Sequence, residues 1–460
     1  MKCFTSKVVN INANQARCLA VCLWAALYCP LSAQISTNDA AAQTAPATLT
    51  LQDALKLAEA NSPQLLAAMN DSNAAREDIL QARAVRKPTA SFRSDYLGTQ
   101  GNGTLPSGRF VTNDGVHVYR DWGVVHQDFT AAANRAGIEK ATESEAIARA
   151  KIEVARRGVT ATVTRIYYSL LTAQRKYATA QQALEQARRY LDISQRLERG
   201  GEVARSDVVK AQLQVAGQEQ ILRDTELTMD NARLDLAVLL YRDFNQNFAI
   251  IDDLALAAPL PPMEEAQAMA GRENPDLAAA NATLRAARVD VTLARQAYLP
   301  SLTSDFAYGI EANAFAFHST VAAVPSAGPL PNLGYFLTIS LNVPVWDWGV
   351  RGSKVRQAVL KRDQAAVELS ATQRTLLRNF QGFYKEAQTA RVQVDSLRTS
   401  ADLAAESLRL NALRYQSGDA TILELVDAQT TLVQARNAYD DGLARYRLAL
   451  ANLQTLTGAF

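Results

Sequence analysis

The feature that most constrains this chain is an internal duplication. Two segments about 217 residues apart share one pattern, in which a Gly is followed six positions later by a carboxylate and then, some positions on, by Ala-Gln. The first segment runs from Gly201 to Gln212 and the second from Gly418 to Gln429. A recurring unit of this length predicts one architectural unit built twice.

Two apolar stripes precede the duplicated segments and superimpose with the same shift. Both repeat with a 3-4-3-4 spacing, which is typical of helices packed along a left-handed seam. The first stripe comprises Val163, Ile166, Leu170, Ala173, Tyr177, Ala180, Leu184, Ala187 and Leu191. The second comprises Phe380, Phe383, Ala387, Ala390, Val394, Leu397, Ala401, Ala404 and Leu408. We expect each stripe to lie on one very long helix.

We place the structural repeats at residues 49–249 and 263–460, joined by a linker at 250–262 that contains Pro259, Pro261 and Pro262. Each repeat is predicted to contain a helix, two strands, a long helix and a return helix. The predicted strands are 89–97 and 116–127 in the first repeat, and 301–309 and 335–345 in the second. The predicted first-repeat helices are 51–86, 130–199 and 206–240, and the second long helix and its return are 349–416 and 421–456.

The N-terminus has the composition of an export signal. Positive charges at Lys2, Lys7 and Arg17 flank a short apolar run at 18–28, and Ala33 is the small residue expected before a cleavage site. The prediction is a signal peptide over 1–33, followed by a disordered Ala-, Gln- and Thr-rich segment over 34–48.

All four cysteines lie inside the predicted signal. The mature chain is therefore expected to have no disulfide, thiolate nucleophile or zinc–thiolate site. Lipid modification of Cys29 is disfavoured, because the large residues Leu27 and Tyr28 precede it. Removal of three positive charges from a formal net charge of +2 leaves a nearly neutral protein, which gives nucleic-acid binding no electrostatic support.

The last predicted strand has a strict two-residue period. Four apolar side chains alternate with polar ones over about ten residues, which favours a membrane-spanning strand with a wet inner face. The apolar positions, predicted to face the membrane lipid, are Leu337, Ile339, Leu341 and Val343. A half-buried soluble hairpin stays open as the alternative. The strand at 116–127 is less regular, with Arg120 and His126 at positions expected to face lipid.

Four spanning strands are too few for one chain to close a barrel. In lipid every backbone amide and carbonyl must be paired, so an open sheet is unstable there. Three chains supply twelve strands and two chains supply eight. An Ala-rich helical seam also allows neighbouring helices to approach closely, which favours assembly into a helical tube.

Three sequence features together resemble the TolC-like outer membrane efflux proteins. They are the two-copy layout, the segment from Arg414 to Gln429, and the segment Leu341–Gly349 where a strand passes into a long helix. The resemblance implies a mainly α protein with a small membrane β part. It implies a homotrimer with a twelve-stranded barrel in outer-membrane lipid and a long periplasmic α-barrel. It also implies two partners, a periplasmic membrane-fusion (adaptor) protein and an inner-membrane transporter.

The two duplicated glycines are expected to end helices with a positive φ angle. In similar proteins this turn is the tip on which the adaptor docks. The expected docking residues are Gly201, Glu202, Val203, Gly418, Asp419 and Ala420. Glu202 and Asp419 depart from the family, which often has an apolar residue after the glycine, and we expect this to affect adaptor choice.

Four residues are candidates for a gate at the narrow end of the tube. Glu424 and Asp427 share a helical face, and in a trimer they would form carboxylate rings that attract cations. For Glu424 the alternative is a capping box with Thr421. Asp207 and Tyr415 match family positions in a Tyr–Arg–Asp network, whereas the expected Arg is Ala420 here.

Trp346 and Trp348 follow the last strand, where membrane-interface anchoring and core packing both remain open. The three histidines, His117, His126 and His318, do not cluster, and no catalytic constellation is recognisable. We expect no cofactor, no metal and no enzymatic activity. The favoured function is an outer-membrane exit duct of a tripartite efflux or type I secretion system, with a soluble periplasmic coiled-coil scaffold as the alternative. The sequence does not specify the cargo or the pump class.

Overall fold

The computed structural model describes residues 47–99, 116–243, 247–256, 259–312, 318–322 and 329–458. The predicted signal peptide and almost all of the predicted disordered segment lie outside these residues.

Helices account for most of the described chain, and strands form a smaller part. In chain order the helices are α1 (Leu51–Asn61), α2 (Pro63–Ala84), α3 (Ala131–Gly200), α4 (Arg205–Leu240), α5 (Met263–Glu273), α6 (Pro275–Gln296), α7 (Val350–Gln416) and α8 (Ile422–Thr457). The strands are β1 (Ala47–Leu49), β2 (Thr89–Thr99), β3 (Val116–Asp128), β4 (Phe248–Ile250), β5 (Ser301–Ala312), β6 (His318–Ala322), β7 (Pro329–Pro331) and β8 (Leu333–Asn342).

Two long helical hairpins dominate the fold. Helix α3 has 70 residues and α7 has 67, so at about 1.5 Å per residue each is roughly 100 Å long. The 36-residue helices α4 and α8 return along them, and α3 also packs against α8. The heptad stripes supply these contacts, since Val163, Leu170, Ala387 and Ala390 are all buried. The predicted fold class is confirmed.

The β part is one antiparallel sheet with the strand order β2-β3-β5-β8 among the described residues. The hairpin of each repeat therefore lies beside the other through the pairing of β3 with β5. The register aligns Thr89 with His126, Asp128 with Thr303, and Ser301 with Asn342. Both hairpins thus connect to the helices at the same end of the sheet, where the strands begin or finish.

The two faces of this sheet differ in polarity. Leu337, Ile339 and Leu341 are exposed on one face, as the sequence predicts. The expectation that Arg120 and His126 face lipid is wrong. The register pairs Arg120 with Glu311, and it pairs His126 with Asp305, which in turn is paired with Thr338, so both side chains lie on the polar face.

An ion pair and a hydrogen bond between strands hold these side chains on the polar face. The Arg120 Nε lies 2.9 Å from Glu311 Oε1, and the His126 Nδ1 lies 2.6 Å from Asp305 Oδ1. The face of each side chain depends on the register between strands, because a shift of one residue exchanges the two faces. The sequence of one strand alone does not determine that register.

The end of the last strand also differs from the prediction. Strand β8 begins at Leu333 and ends at Asn342, so Val343 follows the strand instead of belonging to it. Pro344 has no amide to donate, and the paired strand β5 begins directly after Pro300, which has none either. The predicted loop before β8 contains the short pair β6–β7.

The predicted helix over 51–86 is wrong as a single element. It is interrupted at Ser62, whose side-chain oxygen accepts a hydrogen bond from the Leu65 amide, and Pro63 then begins α2. The second repeat has the same break, with Asn274 as the cap and Pro275 at the start of α6. A polar cap followed by Pro is a helix-start signal, and its duplication could have been recognised from the sequence.

A buried core lies where the short elements meet the middle of the long hairpins. Tyr167 on α3 is fully buried, and its hydroxyl donates to the Ile251 carbonyl at 2.7 Å. The Ile251 amide in turn donates to the Leu49 carbonyl at 3.1 Å. Within the described ranges, no helix has an apolar stretch long enough to cross a membrane.

Candidate functional site

The tips of the two helical hairpins end in matching turns. Gly201 has φ = +80° and Gly418 has φ = +79°. At the first tip, the Gly201 amide donates to the Glu198 carbonyl and the Glu202 amide donates to the Leu197 carbonyl. These bonds satisfy carbonyls that the helix end would leave unpaired, and the left-handed backbone they require favours glycine.

An Arg–Glu ion pair spans each turn. At the first tip, Arg205 Nη1 on α4 lies 3.3 Å from Glu198 Oε1 on α3. At the second tip, Arg414 Nη1 on α7 lies 3.4 Å from Glu424 Oε2 on α8. In the first repeat the Glu precedes the turn and the Arg follows it, whereas in the second repeat the Arg precedes the turn and the Glu follows it. Both pairs connect the two helices across the turn, from different positions in the two repeats.

The tips also contact each other. The Tyr415 hydroxyl on α7 lies 2.6 Å from Ser194 Oγ on α3, and the Tyr415 side chain is almost completely buried. Burial raises the pKa of the Tyr415 phenol; the hydrogen bond to Ser194 opposes this, and the negative charge of Asp207 adds to it. The structure therefore brings together the two predicted residues Tyr415 and Asp207, with Ser194 as the hydrogen-bond partner.

A second polar bond joins the hairpins further along. Gln429 is fully buried, and its Nε2 donates to the Ala183 carbonyl of α3 at 2.6 Å. Around it, Leu408, Ile422 and Leu425 form an apolar core that includes residues of both hairpins. The two tips are consequently packed as one unit in this structure.

The predicted gate carboxylates have different surroundings. Glu424 forms the capping box with Thr421, in which the Glu424 amide lies 3.4 Å from Thr421 Oγ1, and it also pairs with Arg414. Asp427 is exposed and makes no side-chain hydrogen bond or ion pair within the described residues. Asp207 lies 3.3 Å from Lys210. Of these three carboxylates, Asp427 is the one whose charge is not engaged by another described side chain.

The predicted docking residues lie at the outer end of the hairpins. Glu202 and Asp419 are exposed, whereas Val203 and Ala420 are partly buried. Arg414 Nη2 also donates to the Asp419 carbonyl at 3.1 Å, which holds the second turn in place. The tip surface is thus polar and acidic at the two positions where the family often has apolar residues.

Sequence reasoning missed the partners that join distant parts of the chain. Ser194 and Ala183 contact residues more than 200 positions away. Near the middle of the hairpins, Arg175 pairs with Asp252 at 2.7 Å and with Asp440 at 2.8 Å. No local pattern marks these residues, because Ala183, Ser194, Arg175 and Asp440 lie in ordinary helical contexts and Asp252 lies in the segment after β4.

The described residues contain no group of three or more His, Cys, Asp or Glu side chains arranged to hold a metal ion. Among the predicted histidines, His126 is engaged with Asp305. The side chains of His117 and His318 lie outside the described part of the structure.

Comparison with known proteins relates this chain to outer membrane efflux proteins. A family model described as outer membrane efflux protein matches residues 54–240 and 268–459. The outer membrane protein TolC of Escherichia coli is 22% identical over 425 residues, covering 89% of this chain and 82% of that protein. The outer membrane protein OprJ of Pseudomonas aeruginosa is 25% identical over 327 residues, covering 69% of this chain and 64% of OprJ, which is less than two thirds of its length.

A solved structure supports the fold independently. The crystal structure of the Campylobacter jejuni CmeC outer membrane channel superimposes with a TM-score of 0.76 at 18% identity, covering 89% of this chain and 85% of CmeC. At this identity the likeness shows the fold alone.

Proposed function

Because this chain belongs to the outer membrane efflux protein family, we propose that three copies of it form the passive exit duct of a tripartite efflux or type I secretion system. Cargo would reach the duct from an inner-membrane transporter through a periplasmic adaptor. The duct itself would supply neither energy nor covalent chemistry.

The observation that carries this proposal is a two-faced sheet with two open edges. In the described residues, β2 and β8 each pair on one side only. One face is apolar at Leu337, Ile339 and Leu341, and the other bears the Arg120–Glu311 ion pair and the His126–Asp305 hydrogen bond. Pairing of β8 with β2 of the next copy would satisfy both edges, and three copies would supply twelve strands with a polar interior.

The helices, like the sheet, have surfaces that neighbouring copies of the chain would cover. Helices α4 and α7 flank the α3–α8 contact and expose large apolar side chains. These include Leu213, Leu227 and Val238 on α4, and Leu360, Val367, Val392 and Leu403 on α7. An apolar surface of this extent on both outer helices favours burial against neighbouring copies, which would close the helices into a tube.

The tips supply the gate and the docking surface of this proposal. Asp427 from three copies would form a negatively charged ring at the narrow end, which attracts cations and repels anions. Adaptor contact with Glu202, Asp419 and the adjoining turn residues would favour separation of the hairpins. Opening then shifts a pre-existing equilibrium, and the adaptor must bind the open form more tightly.

The decisive experiment exploits neighbouring positions on opposite faces of β8. Ile339→Lys puts a charge on the proposed lipid face, where it costs about 2–4 kcal/mol near the bilayer midplane. Ser340→Lys is the matched control, because it adds the same charge to the polar face. We expect Ile339→Lys to lower the yield of outer-membrane trimer far more than Ser340→Lys.

Size and conductance measurements complete the test. Protein purified in detergent should have the mass of three chains and should form ion-conducting channels in planar bilayers. A water-soluble monomer that retains its sheet, or equal tolerance of the two Lys variants, contradicts the proposal and favours a soluble scaffold.

A further inference from the structure

An aromatic pair lies on the face of the sheet that bears the charged side chains. Side chains along a strand alternate between the two faces, so Trp122 in β3 shares its face with Arg120 and His126. In β8, Phe336 shares that face with Thr338, two residues further on. Phe336 is 45% exposed. Both rings therefore face the interior of the proposed channel, on the side opposite to the lipid.

The two rings meet above the strand that lies between them. Strands β3 and β8 both pair with β5, so they are two strand spacings apart, which is about 9.6 Å. The ring centroids of Trp122 and Phe336 are 4.9 Å apart, with an angle of 74° between the ring planes. Ala307 of β5, which is opposite Phe336 in the register, is fully buried. The pair thus forms an aromatic wall across β5.

Two glycines leave the sheet bare beside this wall. Gly309 is opposite Trp122 on one side and opposite Gly334 on the other. A Cβ at Gly309 would lie 2.8 Å from the Trp122 Cα, so the close approach of β3 and β5 requires glycine there. A Cβ at Gly334 would meet no described atom within 4 Å. The backbone of the two glycines is therefore the floor of an open recess. We call Trp122, Phe336, Gly309 and Gly334 the aromatic notch.

The notch is bordered by charges that do not balance. The charged side chains around it on the same face include Arg93, Asp95, Arg120, Asp305 and Glu311. Arg93 pairs with Asp95 at 2.7 Å, and Arg120 pairs with Glu311 at 2.9 Å. Asp305 is hydrogen-bonded to His126 at 2.6 Å. With histidine neutral at pH 7, these side chains leave one negative charge next to the notch.

We propose that the aromatic notch binds planar aromatic cations as they pass through the duct. Because its floor has no side chains, a flat ring fits against the backbone with its edge or face at the wall of Trp122 and Phe336. The aromatic faces and the excess carboxylate both attract a positive charge on the same molecule. The binding is weak, since a duct must release what it binds. This inference rests on the proposed trimeric duct, for which it names a class of cargo.

The first test measures binding with Trp122 as the reporter. Beyond the predicted signal peptide, the other tryptophans are Trp346 and Trp348. They are 73% and 88% exposed, so Phe at both positions leaves the fold intact. The probe is proflavine, a planar tricyclic cation. We expect proflavine to quench Trp122 saturably in the trimer purified in detergent. Anthracene-2-sulfonate, a planar anion, should require a higher concentration, and tetrabutylammonium, a cation without a flat ring, should not displace proflavine.

Two Val substitutions on opposite faces of the sheet locate the site. Gly334→Val fills the floor of the notch without a clash, and valine favours strands. Gly123→Val is the matched control, because Gly123 is opposite Tyr308 on the apolar face and its Cβ would make an ordinary contact of 3.6 Å with the Tyr308 carbonyl. We expect Gly334→Val to weaken proflavine binding about 2- to 13-fold, the range of one aromatic contact, and Gly123→Val to leave it unchanged.

The second test measures how long the probe stays in a conducting channel. Proflavine added to a planar bilayer should interrupt the single-channel current, and Gly334→Val should shorten each interruption by the same factor, about 2- to 13-fold. Gly123→Val should not shorten it. The proposed Asp427 ring is the same in all three proteins, so its attraction for cations does not contribute to the difference.

Three results would overturn the proposal. Binding and interruptions that are the same in Gly334→Val and Gly123→Val would show that proflavine does not occupy the notch. Displacement of proflavine by an equal concentration of tetrabutylammonium would show attraction of charge without recognition of a flat ring. In both cases channels that still conduct leave the duct proposal standing. If the parent protein does not conduct, the duct fails together with the notch.

Discussion

Removal of the Tyr415 hydroxyl is the sharpest test of how the tips are held together. The hydroxyl lies 2.6 Å from Ser194 Oγ, and Ser194 Oγ itself donates to the Tyr190 carbonyl at 2.9 Å. Tyr415 is therefore the donor in their shared bond. Tyr415→Phe removes that bond, keeps the buried ring and leaves no donor without a partner.

The size of the effect follows from the bond that is lost. A neutral hydrogen bond contributes about 0.5–1.5 kcal/mol net, which changes an equilibrium about 2- to 13-fold. If the three tips of a trimer open together, the energies add to about 1.5–4.5 kcal/mol, or roughly 10- to 2,000-fold. We expect Tyr415→Phe to raise the ratio of open time to closed time of single channels in planar bilayers by roughly 10- to 2,000-fold.

Ser194→Ala provides the complementary variant. It strands the Tyr415 O–H in a buried position, which costs about 1–3 kcal/mol, so the closed state should be destabilised at least as strongly. The double variant should be less affected than the sum of the two single variants, because both remove the same bond. An unchanged open fraction in Tyr415→Phe trimers of normal stability would refute the reasoning, since it would mean that the two hairpins of one chain move as a unit.

Further predictions concern the turns, the charge ring and the helix end. Gly418→Val should destabilise its tip by about 1–2 kcal/mol and impair export, because Gly418 has φ = +79°. The control Gly217→Ala, where a Cβ meets open space inside α4, should stabilise the helix by about 0.5–1 kcal/mol in thermal unfolding. Normal export by Gly418→Val would contradict the proposal that the adaptor docks on the tip. Asp427→Asn should lower the cation preference of single channels more than Glu424→Gln, because Glu424 is engaged by Arg414 and Thr421; equal effects would contradict the distinction. Arg157→Met should lower the free energy of unfolding by about 1–3 kcal/mol, because the buried guanidinium donates to the carbonyls of Thr455 at 3.0 Å and Glu273 at 2.9 Å. An unchanged melting temperature would show that these carbonyls find other donors.

Some elements could be predicted from the sequence because local periodicity determines them. The apolar residues of α3 and α7 have a 3-4 spacing that places them on one side of a helix. The alternation through Leu337, Ile339 and Leu341 places those side chains on one face of a strand. The helix-ending role of Gly201 and Gly418 follows from their backbone freedom. One available signal was overlooked, the duplicated cap-and-Pro break at Ser62 and Asn274.

The environment of the gate residues could not be predicted in the same way. The sequence allowed two interpretations of Glu424, a pore carboxylate or a helix-capping residue. The structure shows the capping box together with an additional ion pair to Arg414. Asp427 is exposed like Glu424 and differs from it in having no side-chain hydrogen bond or ion pair among the described residues. The different surroundings of these two carboxylates depend on which side chains the turn brings close to each of them. The spacing of residues in the sequence does not specify these neighbours.

By itself, then, the sequence determined the duplicated plan, the long helices, the strands and the positions of the turns, because each depends on residues that are near one another along the chain. Tertiary structure alone decided that β3 pairs with β5, that Arg120 and His126 face the polar side, and that Tyr415 meets Ser194. These depend on register and on contacts between residues up to 221 positions apart, and a pairing over such a distance is selected by the packing of the whole fold, since no local pattern favours one partner over another.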